Sequence, residues 1–239
     1  MINDFKDKKS MEKFKVEYAN NRTVSNQVYD TIRENIINLS LIPGTAMSEK
    51  ELADKLAVSR TPVREAFIRL AREGLVNIFP QKGTYVSKIS ISRAKQERFL
   101  RESLEKSVLE VFMESHSENS LNSLTELLDK QKEALENEDY YDFMYYDDLF
   151  HSVFYEETDN VLCNKIVSDQ TVDYHRMRYL SVIMRGGVAA LNTNQHLELY
   201  NYIKEKDIES AQKLLTLHLR KLFKELEIMQ DNYPEYFVD

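Results

Sequence analysis

The sequence predicts a mainly α-helical chain in two parts: a small N-terminal unit that includes one β-hairpin, then a longer all-α bundle. Three observations predict it. Glycine and proline are sparse, five and four in 239 residues, and most of them fall before residue 90. Beyond that point little interrupts helices joined by short polar turns. Apolar residues recur at intervals of three and four through most of the chain, the spacing of amphipathic helices. The exception is one stretch where two β-prone runs, Val76–Phe79 and Thr84–Ile89, flank "PQKG", which is a hairpin pattern.

Each element follows in order. Residues 1–20 carry charge but no apolar run, so they read as a flexible N-terminal tail and not a secretory signal. From Val24 a first helix places Val28, Ile32, Ile36 and Leu39 on one face, and "LIPGTAMS" breaks it at Pro43-Gly44. In "SEKELADKLAVS", Ser48 and Glu51 form a capping box ahead of the apolar stripe Leu52, Ala53 and Leu56. After a turn at Ala57-Val58 comes "SRTPVREAFIRLAREGLV". Here Thr61 is expected as the cap and Pro62 as the first helical residue, where a missing N–H costs nothing. Val63, Ala66, Phe67 and Leu70 share the apolar face, and Gly74 is the stop. Helix, short helix, tight turn and third helix make a helix-turn-helix, and the hairpin makes it winged. This unit is expected over residues 21–89.

Charge points to what the unit faces. Residues 1–90 hold 15 Lys and Arg against 11 Asp and Glu, a net of +4, whereas the other 149 residues hold 17 against 29, a net of −12. A basic module beside an acidic one fits a polyanionic partner for the first alone. With its apolar stripe inward, the third helix turns Thr61 and Arg64 outward, with Arg60 just before its first turn. A helix N-terminus offers free N–H groups to phosphate, and an arginine there can read guanine bidentately in the major groove. Lys82 stands at the wing tip, within reach of the backbone or minor groove.

Residues 90–239 read as an antiparallel bundle of about six helices: 92–114, 118–139, 140–158, 161–183, 188–205 and 208–230. Phe99, Leu104, Val108 and Val111 are the expected core stripe of the first. Asp147 and His151 are four apart, so one helix face presents both. His196 and His218 are 22 apart, with their midpoint in the turn "KEKDIES", so an antiparallel hairpin sets them side by side. If the Asp147 helix packs there, one carboxylate and three imidazoles converge, a set that suits a divalent transition metal. The alternative is a set of buried, hydrogen-bonded histidines. His116 and His175 match no pattern. No Gly-rich phosphate loop and no HExxH-type constellation is present. The single cysteine, Cys163, excludes an intrachain disulfide and fits a cytoplasmic protein, and no run is long and apolar enough for a membrane span.

"SEKELADKLAVSRTPVREAFIRLAREGLV" followed by "PQKGTYV" resembles the DNA-binding domain of the GntR family of bacterial transcription regulators, without gaps over about residues 22–89. The resemblance implies that Lys50, Arg60, Thr61 and Arg64 touch double-stranded DNA, with Ser59 at the head of the helix grouped with them. It also implies that the wing tip, Gln81, Lys82 and Gly83, enters the minor groove. "RESLE", "DLFHSVFYEETDN" and "NQHLELYNYIKEKDIESAQKLLTLHL" resemble the FadR-type C-terminal ligand-binding (FCD) domain. That resemblance implies a metal on Asp147, His151, His196 and His218: zinc first, nickel or manganese otherwise. It further implies a small carboxylate effector beside the metal and a nearby arginine: Arg101 of R-x-x-L-E, or else Arg176 or Arg178. Fatty-acid-sensing members lack the four-residue set, which argues against an acyl-thioester effector. The function expected is a sequence-specific regulator, a repressor, working as a homodimer on a near-palindromic operator. A metal-dependent enzyme with a vestigial nucleic-acid module, or a nonspecific chromosome binder, are the alternatives.

Overall fold

The computed structural model describes residues 23–184 and 186–239, the side chains of 186–191 excepted. The tail expected over residues 1–20 lies outside the described residues. The chain divides into two compact units, one running to Ile89 and taking in Glu235–Val238, the other Ser90–Pro234 with Asp239.

In the first unit, α1 (Val24–Ile37) starts at Thr23, whose hydroxyl accepts the Asn26 N–H. Its period buries Val28, Ile32 and Ile36 completely. α2 (Glu49–Lys55) is capped by the Ser48 hydroxyl, which accepts the Glu51 N–H at 3.4 Å. The chain then turns through Ala57 at φ +53, and the Val58 N–H closes the turn on the Ala53 carbonyl at 3.0 Å. α3 (Arg60–Arg72) buries Val63, Ala66, Phe67 and Leu70 and packs against α1. Its start corrects the sequence reading: Ser59 is the N-cap, Arg60 the first helical residue, and Pro62 the third. No N–H of a helix's first turn has an intrahelical partner, so the proline does not fix which residue begins the helix. Gly74, at φ +78, ends it.

The wing is a three-stranded antiparallel sheet in the order β1-β3-β2. β2 (Val76–Phe79) pairs with β3 (Gly83–Val86) in the register Val76↔Val86 and Phe79↔Gly83. The two-residue β1 (Ala46–Met47) adds to the other side of β3, opposite Tyr85 and Thr84. β3 stops at Val86, short of the expected Ile89. Ser87 leaves the ladder there, its N–H donating to Leu75 and its hydroxyl to Gly74. Ile89–Ser90 form a separate strand, β4, paired with β5 (Phe237–Val238).

The second unit is helical. α4 (Ile91–Ser115) is its central rod, with α6 (Tyr140–Glu157), α8 (Val172–Met184) and α10 (Ile208–Arg220) packed along it. α5 (Glu118–Glu136) lies on α6, and α9 (Gly186–Glu205) lies on α10 and α5. The core gathers Leu109, Phe112, Phe150, Phe154, Ile203 and Leu215. At the head of α4 the Asp239 carboxylate accepts the Ile91 N–H at 2.9 Å and the Ser92 hydroxyl.

Two of the six expected helices are divided, making eight α-helices among the described residues of this unit. The span 161–183 breaks at Thr171, whose hydroxyl donates back to the Val167 carbonyl at 2.7 Å, leaving α7 (Val161–Gln170) and α8. The span 208–230 passes through a 3-10 turn, Lys221–Lys224, before α11 (Leu226–Asn232). The expected stripe of α4 also fails in part, since Phe99 is 65% and Val111 45% exposed. The buried face carries Glu97, Arg101 and Glu105 ahead of Val108, Leu109 and Phe112. Charged side chains that find partners inside replace the apolar signal there.

Three corners explain how these helices stop without glycine. Glu138, Asp159 and Lys206 stand at φ +54, +55 and +58. The next residue's N–H returns to a carbonyl five back in each case: Asp139 to Ala134, Asn160 to Tyr155 and Asp207 to Tyr202. Asp139, Asn160 and Asp207 are then the N-caps of α6, α7 and α10.

Candidate DNA-reading helix and metal centre

All eight residues that the sequence places at DNA are exposed: Lys50, Ser59, Arg60, Thr61 and Arg64 near the head of α3, and Gln81, Lys82 and Gly83 at the wing tip. The Ser59 side chain makes no cap hydrogen bond, so the first-turn N–H groups of α3 are open to an external acceptor. The wing turn is shaped by Gln81 at φ +63 and Gly83 at φ +109, with the Lys82 N–H on the Phe79 carbonyl at 3.1 Å. Arg64 donates from Nε and Nη2 to the two oxygens of Glu49 at 3.0 and 2.8 Å. Arg69 instead fastens α3 to α1, lying 3.6 Å over the Tyr29 ring and donating to Asn26.

In the second unit the side chains of Asp147, His151, His196 and His218 bring one ligand atom each to within 4.8 Å of one another. α6 supplies the first two on one face, and the α9–α10 hairpin supplies the others, their Nε2 atoms 3.4 Å apart. Each imidazole is held from behind at Nδ1 by an oxygen. His151 faces Glu105, His196 faces Gln131 at 2.8 Å, and His218 faces Gln195 at 3.1 Å. An acceptor at Nδ1 puts the proton there and aims the Nε2 lone pair inward. The Nε2 of His151 is buried with no hydrogen-bond partner; it lies 3.8 Å from Asp147 Oδ2, and His196 Nε2 lies 3.7 Å from Oδ1. Three lone pairs and a carboxylate facing one another fit a divalent cation.

Electrostatics agree with that fit. Burial pushes His196 down to about 3 and His218 well below its ordinary value, so both imidazoles are neutral near pH 7, the state in which they could ligate a metal. Burial alone would raise the Asp147 carboxyl, but the Arg178 guanidinium, then His196 and His151, bring it below its ordinary value. Glu105 is likewise raised by burial yet brought to about 2 by His151 and Arg101.

Two cavities flank the cluster. One of about 320 Å³ is walled by Arg101, Glu105, Asp148, His151, Tyr155 and His175 among others. The other, of about 30 Å³, touches Tyr174, Arg178, Asn192, His218 and Lys221. Arg101 donates to Glu105 at 2.9 Å, and Arg178 binds Asp147 and Asp148. Arg176 is fully buried, donates to Asp173 at 3.0 Å and lines neither cavity, so the structure sets it apart from the other two arginines. Sequence reasoning missed the residues behind the imidazoles, Gln131 and Gln195, and left His175 unassigned. Glu105 carried one signal, its place in "RESLE". His116 stacks on Phe112 with centroids 5.3 Å apart, away from the cluster.

A winged helix-turn-helix with an exposed, arginine-bearing third helix, followed by a helical unit with an internal ligand cluster, defines a DNA-binding transcription regulator. The description "Bacterial regulatory proteins, gntR family" matches residues 24–86, and "FCD domain" matches residues 98–221. The chain is 32% identical over 214 residues to the HTH-type transcriptional repressor RspR of Escherichia coli K12, covering 90% of this chain and 93% of RspR. It is 26% identical over 219 residues to the HTH-type transcriptional regulator McbR of the same strain, covering 88% and 93%. Among solved structures, E. coli McbR/YncC superposes with a TM-score of 0.75 at 22% identity, covering 89% of this chain and 99% of that one. A GntR regulator from Rhodococcus sp. RHA1 gives 0.72 at 22% identity, covering 86% and 97%. The chain belongs to the GntR family and carries an FCD domain. Both of these E. coli relatives are HTH-type transcription regulators. No helix among the described residues is long and apolar enough to cross a membrane.

Proposed function

We propose that this regulator is a repressor that grips a near-palindromic operator as a homodimer and changes its affinity when a small organic acid binds beside a divalent metal. In this reading Lys50, Ser59, Arg60, Thr61 and Arg64 serve the major groove, and Gln81, Lys82 and Gly83 the minor groove. Asp147, His151, His196 and His218 would hold the ion, zinc first, with nickel as a second choice that imidazoles also suit and manganese a third. A bound divalent ion supplies a point of positive charge for a carboxylate oxygen. Arg101, which lines the larger cavity, would take the other end of an acid, and Arg178, which lines the smaller, would respond on the other side. The observation that carries the reading is the set of three imidazoles fixed at Nδ1 with their Nε2 atoms turned on one buried carboxylate.

The test uses full-length protein, stripped with a chelator and reloaded with zinc, and duplexes selected by the protein from a random pool. Binding is followed by fluorescence anisotropy across a panel of mono-, di- and tricarboxylates. One acid should change affinity by roughly 5- to 150-fold, the usual range of a coupling between sites, and only in the metal-loaded protein. A flat response across the panel with metal bound would overturn the sensing role.

A further inference from the structure

Arg64 is one of five exposed residues near the head of α3; its side chain is 65% exposed, yet its guanidinium is paired. Its Nε and Nη2 form a two-toothed contact with Glu49, at 3.0 and 2.8 Å. The Glu49 backbone is set as the first residue of α2, directly after the Ser48 cap. A guanidinium has two usable edges. This contact takes the Nε–Nη2 edge and leaves the Nη1–Nη2 edge free. The free edge is the one whose two parallel N–H groups match O6 and N7 of guanine.

We propose that Glu49 is a positioning residue for base recognition: by holding Arg64 along one edge, it presents the other edge, pre-oriented, to a guanine in the operator. The inference rests on the reading of Arg64 as a DNA-contacting residue. Without Glu49, Arg64 swings through its side-chain rotamers and serves any phosphate within reach. With Glu49, ordering precedes contact and the arginine discriminates. The carboxylate also repels phosphate, so it weakens indiscriminate binding while it sharpens reading.

The experiment is a selection from random duplexes with full-length wild type, Glu49→Gln, Arg64→Ala, Arg64→Lys and the double variant Glu49→Gln/Arg64→Lys. Anisotropy then compares the selected duplex with versions changed at each guanine. Arg64→Ala should abolish guanine preference at one position of each half-site. Glu49→Gln should relax that same position by roughly fivefold or more, the lower end of what a bidentate arginine–guanine contact discriminates. Its affinity for unselected DNA should hold or rise. Arg64→Lys, which cannot use two edges at once, should make Glu49→Gln silent. If Arg64→Ala leaves every preference intact, Arg64 does not read a base and the underlying assignment falls. If Arg64→Ala abolishes the preference but Glu49→Gln does not move it, or lowers affinity evenly for all sequences, the positioning role is wrong. A melting curve for each variant accompanies the titration, and should Glu49→Gln fail to fold, Glu49→Asp, which shortens the buttress, is read by the same criteria.

Discussion

Gln131 tests the ligand geometry without touching a ligand. It is fully buried, accepts from His196 Nδ1 at 2.8 Å, and donates to the Tyr146 carbonyl at 3.2 Å. Gln131→Met preserves volume and removes both interactions. The stranded His196 N–H should lower stability by about 1–3 kcal/mol, since the Tyr146 carbonyl keeps its place in the helical ladder. His196 keeps its place, because Phe150 stacks on it with centroids 4.5 Å apart and planes 12° from parallel, but nothing then fixes its tautomer. Loss of an outer partner of this kind weakens metal binding by roughly 10- to 100-fold, about 1.4–2.7 kcal/mol. Competition against a chromogenic zinc chelator reads this directly. The stabilisation conferred by excess zinc should shrink in step, from about 4 kcal/mol at a thousand times Kd toward 1.4–2.7. Gln131→Glu, which keeps an acceptor at the ring, should hold zinc at least as tightly as wild type. Zinc affinity of a folded Gln131→Met within twofold of wild type would refute the idea that the Nδ1 partner aims His196 at an ion.

Three other outcomes are expected. Glu97 is pushed up to about 7, chiefly by burial, against the pull of its bond to the Tyr174 N–H and of Arg93. With the folded value above the unfolded 4.5, its contribution is full below about pH 4.5 and lost as pH rises to 7. Glu97→Gln should therefore stabilise the protein at pH 8, by at most about 3 kcal/mol, and far less at pH 5; equal shifts in melting temperature at both would contradict this. The Tyr155 hydroxyl is buried without a hydrogen bond, so Tyr155→Phe should match or exceed wild-type stability in urea by up to about 1 kcal/mol, and a clear loss would reveal a partner. Removing the cap with Ser48→Ala should cost about 1 kcal/mol, seen as faster amide exchange through α2, and protected amides would show that packing alone sustains that helix.

The recognition helix was legible because one stripe decides it: Val63, Ala66, Phe67 and Leu70 have no polar competitor for the interior. The meeting of His196 with His218 was legible for a different reason, since equal distances from a turn put two residues of a helix hairpin abreast. The same logic could not reach Gln131 or Gln195, whose amides look like any surface polar residue until the fold brings an imidazole to them. Nor could it reach α4, where Arg101 and Glu105 occupy the inward face and displace Phe99 outward; a pair that satisfies itself inside leaves no periodic trace. β1 is two residues long, too short for a pattern, and exists only because β3 offers it an edge. The break at Thr171 left no readable signal, since the same hydroxyl-to-carbonyl bond made by Ser107 or Thr125 leaves its helix unbroken.

Glu138, Asp159 and Lys206 hold a backbone shape that strains any residue with a side-chain carbon at Cβ, by about 1–2 kcal/mol before local compensation. All three are exposed, and none belongs to the ligand cluster. Glycine at 138 or 206 relieves that strain at the cost of a floppier unfolded chain, leaving a net gain of roughly half a kcal/mol at each. Aspartate tolerates the shape better, so 159 has less to give. These three bends thus offer stability that can be changed without touching Asp147, His151, His196 or His218, and a version hardened there should keep the zinc affinity of the wild type.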